Sequence, residues 1–217
     1  MIKRNDFSDH VEIGINIYKA KCNNETFVLK ELKESETIQE TLKIIKILQN
    51  IPHPNVVKFH GLINEGLMFL HNNNIIHCDM HTANILVHEG RMMIADFDFS
   101  KFSNSEGEFH GIAAFIDPCA QQFSYNDKVI FTTKYDIYAL GVILWEIASC
   151  RRPFDGKTPM EIMTLTQSGV RETASEMLLE YDSLYMSCWD EDPEKRPESN
   201  SILETLNVII EKYKHLI

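Results

Sequence analysis

The sequence predicts an α+β fold in which β-strands precede a mainly helical region. Apolar residues alternate with other residues from Val11 to Ile17, which is the pattern of a half-buried strand. From Ile137 to Ala148, apolar residues instead recur at helical spacing and cover a broad face. Strands at one end of a chain and helices at the other are typical of the α+β class.

The composition predicts a soluble globular protein of the cytoplasm or nucleus. The chain has 217 residues, 44% hydrophobic and 24% charged, which is enough for one domain with a sizeable core. Its net charge of -11 argues against nonspecific binding to nucleic acid or anionic membranes. No apolar run approaches the ~20 residues of a membrane span, and the five cysteines are scattered, which predicts reduced thiols.

The N-terminal third is predicted to contain strands and one helix. A second strand, Phe27-Val28-Leu29, follows a turn at Asn23-Asn24. Apolar residues at helical period predict a helix over residues 36–50, and Pro52 ends it. Val56 to Gly61 is predicted to be another strand.

The middle of the chain is predicted to contain the end of a helix, a hairpin and an irregular segment. Leu67 to His71 is interpreted as the last turns of a helix. Ile85-Leu86-Val87 and Met92 to Ala95 predict a hairpin that turns at Glu89-Gly90. Residues 97–133 show no regular pattern.

Helices are predicted for the C-terminal part of the chain. The first begins at Asp136 and has a broad apolar face. Thr158 to Glu161 forms a capping box with proline at the first helical position, and that helix is predicted to end at Gly169. Ile202 to Tyr213 gives a final amphipathic helix.

Four motifs in one order carry a family resemblance. The stretch from His77 to Asn84 reads H-C-D-M-H-T-A-N, close to the protein-kinase catalytic loop H-R-D-L-x-x-x-N. Asp96-Phe97-Asp98 stands where that family carries D-F-G, and Phe27 to Lys30 is similar to V-A-I-K. Cys188 to Pro197 matches C-W-x-x-D-P-x-x-R-P. The chain therefore resembles the protein kinases, and among them the tyrosine-kinase-like and serine/threonine kinase-like domains, over nearly its whole length.

The resemblance implies a bilobal fold within a single domain, residues 1–217. Residues 1–66 would form a reduced N-terminal β lobe, and residues 67–217 a mainly helical C-terminal lobe. The helix that begins at Asp136 resembles the central helix of the kinase C-terminal lobe. In that family its aspartate supports the backbone of the catalytic loop.

The resemblance also implies the roles of five residues. Asp79 would accept the proton of the substrate hydroxyl, and Asn84 and Asp96 would hold Mg²⁺. Lys30 would contact the phosphates of ATP, with Gly14 as the first glycine of the phosphate-binding loop. ATP and Mg²⁺ are the implied cofactors, and a protein substrate or signalling partner is the implied partner. The oligomeric state and the acceptor type, Ser/Thr or Tyr, stay open.

The sequence departs from the kinase pattern in the segments that bind the nucleotide in that family. Four residues, including two glycines, are missing after Gly14. Only fifteen residues separate Gly61 from His77, too few for the two strands, hinge and two helices of an intact kinase. The glutamate that would pair with Lys30 has no clear equivalent, although Glu40 lies one turn earlier.

Further departures affect the loop and the segment that follows it. Cys78 replaces the arginine of H-R-D, and His81 stands where serine/threonine kinases usually carry lysine. Asp98 replaces the glycine of D-F-G, and Asp117-Pro118-Cys119 lacks the glutamate of A-P-E.

Several alternatives remain open at this stage. The chain could be a pseudokinase scaffold or binding module with weak or no turnover, or a gene model that has lost an exon between Gly61 and His77. Asp79 and Asn84 could merely cap their loop, and Lys30 could be a solvated lysine. Zinc ligation by His77, Cys78 and His81 is disfavoured because such close neighbours rarely converge on one ion. Gly156-Lys157-Thr158 lacks the earlier glycine of a Walker-A motif.

Overall fold

A computed structural model provides the structure of this chain. It describes residues 8–14, 17–22, 25–30, 63–88, 91–121, 129–175 and 178–213. The chain divides into two compact units, residues 1–39 and 40–217. The predicted helix over 36–50, the strand from Val56 to Gly61, and Glu40 lie outside the described residues.

The N-terminal unit contains a three-stranded antiparallel sheet. Its strands are β1 (Ser8–Gly14), β2 (Ile17–Cys22) and β3 (Glu25–Lys30), in the order β1-β2-β3. The β2–β3 register pairs Cys22 with Glu25, and the predicted turn at Asn23-Asn24 lies outside the described residues.

The described part of the C-terminal unit contains three short antiparallel ribbons beside one helix, α1 (Ile63–Asn72). The strands are β4 (Ile75–Ile76), β5 (Ile85–His88), β6 (Arg91–Ile94), β7 (Lys101–Phe102), β8 (Glu106–Gly107) and β9 (Val129–Ile130). They pair as β4–β7, β5–β6 and β8–β9. The predicted hairpin is therefore confirmed as β5–β6, and the segment predicted to be irregular contains three strands and a short helix.

One of the remaining helices is buried along most of its length. These helices are α2 (Pro118–Gln121), α3 (Thr133–Ser149), α4 (Pro159–Gln167), α5 (Leu179–Cys188) and α6 (Ser199–Tyr213). Eleven successive residues of α3, Tyr135–Trp145, are buried. A helix that is covered on every side forms the core of its unit. Close packing requires Gly141, because a Cβ there would lie 2.8 Å from the Cβ of Cys188 on α5.

Two other sequence predictions about helices are confirmed in detail. Thr158 and Glu161 form the capping box at the start of α4, with each side chain bonded to the backbone N–H of the other. Helix α6 buries Ile202 and Ile209 on its inner face. No helix in the described part of the chain is long and apolar enough to cross a membrane. The fold is α+β, with a small N-terminal sheet and a mainly helical C-terminal unit.

Candidate active site

The stretch from His77 to Asn84 forms a loop that connects β4 to β5. The chain reverses at Cys78, whose φ of 65° lies in the left-handed region. It then enters one turn of 3₁₀ helix over Thr82–Asn84. The apolar flanks predict two buried segments, and this is confirmed only for β4: in β5, Ile85 is partly buried and Leu86 is 45% exposed.

Asp136 of α3 holds the start of this loop. Its Oδ2 accepts a hydrogen bond from the backbone N–H of His77 (2.8 Å), and its Oδ1 accepts one from that of Cys78 (2.9 Å). His71 at the end of α1 lies 3.0 Å from Asp136 Oδ2 through Nε2. Asp136 is fully buried, so the carboxylate fixes the unusual conformation of Cys78 from inside the core. This is the support that the resemblance implies for Asp136.

His77 joins the loop to the strand that leads to Asp96. Its Nε2 lies 3.0 Å from the carbonyl oxygen of Ala95, and its Nδ1 lies 3.3 Å from the backbone nitrogen of Asp79. Burial lowers the pKa of His77 and outweighs the opposite effect of nearby Asp136. A neutral ring with its proton on Nε2 satisfies both hydrogen bonds, since Nδ1 then accepts and Nε2 donates.

Asn84 orients the carboxyl group of Asp79. Its Nδ2 donates to the Asp79 carbonyl oxygen (2.8 Å) and to Asp79 Oδ2 (3.2 Å). Burial by itself would raise the pKa of Asp79. The His81 imidazole, followed by His77 and the Asn84 amide, outweighs burial and leaves this pKa below its ordinary value. Asp79 is therefore a carboxylate at neutral pH and is able to accept a proton.

The β5–β6 hairpin brings Asp96 close to Asn84. Ile85 pairs with Ile94, and the backbone N–H of Ala95 donates to the carbonyl oxygen of Asn84 (2.9 Å). Asp96 has a φ of 64°, whereas Asp98 is not among the described residues with positive φ. The residue that replaces the glycine of D-F-G therefore carries no left-handed strain here.

The donor atoms around this hairpin fit a hard divalent cation. Both hydrogen bonds of the Asn84 side chain are donated by its amide nitrogen, Nδ2. The side-chain carbonyl oxygen of Asn84 takes no part in these two bonds. That oxygen and the Asp96 carboxylate are the ligand types that Mg²⁺ prefers. Among the described residues, no group of three or more His, Cys, Asp or Glu side chains could hold a metal ion. Mg²⁺ usually keeps several waters and is bound through one or two carboxylates together with substrate phosphates.

Gly111 lies against Asp79, a contact that the sequence analysis missed. Its φ is +117°, and a Cβ at this position would lie 2.6 Å from Asp79 Oδ1. Only glycine fits here without displacing the carboxylate. The signal available in the sequence was a glycine seven residues before Pro118, within the segment predicted to be irregular.

Gly14 and Lys30 lie at the same end of the N-terminal sheet. Gly14 pairs with Ile17 across β1–β2, and Ile17 pairs with Lys30 across β2–β3. Two strand spacings place their backbones roughly 10 Å apart. Their side chains are outside the described part of the structure, and so is any pairing of Lys30 with Glu40.

An apolar group, here named the Cys78 cluster, surrounds the position of the H-R-D arginine. Its buried members are Ile76, Cys78, Ile116, Ala120, Val129, Phe131 and Tyr135, and Phe99 and Phe109 pack against them. The Cys78 side chain thus lies in apolar surroundings and is only 3% exposed. Residues 99–131 supply most of the cluster, so apolar packing attaches this segment to the loop over residues 77–84.

The fold and the site together are those of the kinase class: a small antiparallel sheet, a buried central helix, and a loop whose Asp79 carboxylate is held by the Asn84 amide. The family of protein tyrosine and serine/threonine kinases matches residues 62–206. This chain belongs to that family.

Several curated relatives are kinases at modest identity. Receptor-interacting serine/threonine-protein kinase 2 of Bos taurus is 27% identical over 99% of this chain and 45% of its own length. Dual specificity protein kinase shkD of Dictyostelium discoideum is 26% identical over 96% of this chain and 35% of its own. Serine/threonine-protein kinase STY17 of Arabidopsis thaliana is 28% identical over 73% of this chain and 29% of its own. This chain spans less than half the length of each.

Proposed function

We propose that residues 1–217 form one kinase domain that transfers a phosphoryl group from ATP, with Mg²⁺, to a hydroxyl group of a protein substrate. The observation that carries the proposal is the position of Asp79. It is held by Asn84 on one oxygen, and its pKa is lowered. The β5–β6 hairpin brings the chain next to Asp96 close to Asn84, because the backbone N–H of Ala95 donates to the Asn84 carbonyl oxygen. Phosphoryl transfer requires mainly positioning and charge neutralisation; these residues would provide the positioning, and a bound Mg²⁺ would supply the neutralising charge.

Asp79 has the role of proton acceptor in this proposal. Asn84 already occupies its Oδ2, which leaves Oδ1 to face the acceptor hydroxyl. Asn84 and Asp96 would bind Mg²⁺, and Gly14 and Lys30 would contact the nucleotide phosphates. When bound, Mg-ATP supplies the phosphoryl group and the charge that neutralises its oxygens. Asp136 and His77 form hydrogen bonds with the backbone, and these bonds hold the loop in position.

A binding module without turnover is the second candidate function. One specific observation favours it, in the part of the chain where kinases bind the nucleotide. Helix α1 begins at Ile63, so Leu62 is the only residue between this helix and Gly61, the end of the predicted strand. If Val56 to Gly61 is a strand, as the sequence predicts, only Leu62 is left before this helix for the interlobe hinge that binds adenine in kinases.

The decisive experiment measures transfer of labelled phosphate from ATP to a generic protein substrate. Asp79→Asn keeps the size of the side chain but removes the proton acceptor, so we expect a loss of ~10²–10⁴-fold. Asp96→Asn should also abolish transfer, through the metal. Asp155→Asn changes an exposed carboxylate and is the matched control. Activity that survives Asp79→Asn would contradict the assignment of the catalytic loop.

Thermal unfolding with Mg-ATP separates the two candidate functions further. A ligand at a hundred times its Kd stabilises the folded state by about 2.7 kcal/mol. We expect a small increase in Tm with millimolar Mg-ATP that disappears with EDTA and in Asp96→Asn. A folded wild-type protein without this shift and without transfer would instead support the binding module. A large shift that persists in EDTA would contradict the metal assignment.

A further inference from the structure

His81 lies inside the catalytic loop, between Asp79 and Asn84, and is only 9% exposed. Its Nε2 lies 3.6 Å from Asp79 Oδ1, the oxygen that Asn84 does not contact. Its ring packs against Phe115 with 6.0 Å between the ring centres. The carboxylate of Asp79 is therefore flanked by an amide on one oxygen and an imidazole on the other.

The position of the imidazole proton follows from the other ring nitrogen. His81 Nδ1 is buried and has no hydrogen-bond partner among the described residues. A buried N–H without an acceptor is rarer in proteins than a buried acceptor without a donor. The proton therefore belongs on Nε2, which faces Asp79, and Nδ1 is the unprotonated nitrogen.

The distance between the two groups also matters for the reaction. At 3.6 Å it exceeds the 2.7–3.2 Å of a strong hydrogen bond, so Oδ1 keeps a lone pair for a further donor. The N–H dipole still attracts the carboxylate and favours its charged form. A contact of this kind limits rotation of the carboxyl group without occupying the oxygen that must accept a proton.

We infer that His81 is a positioning residue for Asp79: its Nε2–H holds Oδ1 in the orientation in which the acceptor hydroxyl meets it. This inference rests on the proposed function, because Asp79 is the proton acceptor there. The alternative is a purely structural histidine that fills space against Phe115. The two roles require different parts of the side chain, since positioning requires the Nε2 donor and packing requires the ring.

Two substitutions therefore separate these roles. His81→Gln can place an amide N–H near the position of Nε2 but loses the ring. His81→Phe keeps a ring against Phe115 but loses the donor. We expect His81→Gln to retain kcat within about 3-fold, and His81→Phe to lose roughly 10²-fold in kcat with little change in the KM for ATP, since small misplacements of reacting groups have effects of this size. The reverse order, with Phe active and Gln inactive, would overturn the inference.

A second measurement decides the inference without turnover. The ¹⁵N resonances of the imidazole rings report which nitrogen carries the proton, and His81→Gln identifies the His81 signals. We expect His81 to be protonated on Nε2 in the wild type, with an Nε2 resonance that moves in Asp79→Ala while the other imidazoles serve as references. Protonation of His81 on Nδ1 alone would overturn the inference, and so would an Nε2 resonance that does not shift in Asp79→Ala. If the wild type lacks transfer activity, the proposed function fails, and this measurement still decides the role of His81.

Discussion

Arg196 and Asp117 form a buried ion pair that joins the segment over residues 97–133 to the C-terminal part of the fold. Arg196 Nη2 lies 2.9 Å from Asp117 Oδ1, and Nη1 contacts the other carboxylate oxygen. The guanidinium also lies over the ring of Tyr138 on α3, 5.3 Å from its centre. Asp117 thus supplies a carboxylate two residues before Cys119, the position at which A-P-E would have its glutamate.

Removal of Asp117 should destabilise the fold strongly. Asp117→Asn leaves Arg196 buried without its counter-charge, and breaking such a pair costs about 3–5 kcal/mol. Urea unfolding measures the change. Asp192→Asn is the matched control because the pair between Asp192 and Lys195 is exposed and 4.0 Å long, so the expected loss there is within about 1 kcal/mol.

A charge moved to position 119 tests whether the carboxylate or its exact location matters. Burial raises the pKa of the Cys119 thiol against the lowering effect of the nearby Arg196 guanidinium, so this side chain is within reach of the arginine's charge. We expect the double variant Asp117→Ala with Cys119→Glu to recover part of the stability that Asp117→Ala loses. A double variant no more stable than Asp117→Ala would show that Arg196 requires Asp117 itself.

Phosphorylation of the segment over residues 97–133 should not switch this protein through the catalytic loop. The position of the H-R-D arginine is occupied by Cys78, and the Cys78 cluster holds the segment by apolar contacts. Phosphatase treatment is therefore expected to leave activity unchanged. Strong inactivation by phosphatase would show that a phosphate contact operates elsewhere.

Cys78→Arg should destabilise the protein because a buried guanidinium without a partner is costly. Cys78→Ala is the control for loss of the thiol.

Gly111→Ala should reduce phosphoryl transfer by 10²-fold or more. The new methyl group would lie 2.6 Å from Asp79 Oδ1, so either the carboxylate or the chain must move. Gly156→Ala is the matched control, since Gly156 also has a positive φ (+78°) but nothing within 4 Å of its Cβ position. Both variants should lose stability from backbone strain, roughly 1–2 kcal/mol. Equal activity in the two would argue against close contact between residue 111 and Asp79.

The stability of the fold should decrease as the pH falls below about 6.5 because of His77. Its pKa in the folded state is below the ordinary value of 6.5, so between these two pKa values the unfolded chain binds the proton and the folded chain does not. The free energy of unfolding then falls by up to about 1.4 kcal/mol per pH unit from this group. Unfolding measured between pH 5 and 7.5 should show a shallower slope in His77→Gln. His110→Gln, which removes an exposed imidazole, should keep the wild-type slope.

The local patterns predicted much of the described structure because they depend on neighbours in the chain. The capping box at Thr158 satisfies backbone groups within one helical turn. The β5–β6 hairpin follows from two short apolar runs around a turn. The α+β class was also predictable from local patterns, since apolar residues with a period of 2 and of 3.6 occupy different parts of the chain.

The motif spacing also predicted the family, which the match over residues 62–206 confirms. Asp79, Asn84 and Asp96 remain predictions as site residues. Their proximity in the structure agrees with the resemblance. The side chains of Gly14 and Lys30 lie outside the described residues.

The sequence by itself therefore determined the class of fold, several of its strands and helices, and the family, because hydrophobic period and motif spacing are properties of a linear chain. Only the tertiary structure revealed which distant residues meet: Asp117 with Arg196, Asp136 with the loop backbone, and Gly111 with Asp79. Such contacts join residues that are 32 to 79 positions apart in the numbering. These pairings depend on burial, because a charged or polar group inside the core requires a hydrogen-bonding or ionic partner in the core. The local sequence pattern around such a group does not indicate which distant residue the partner is.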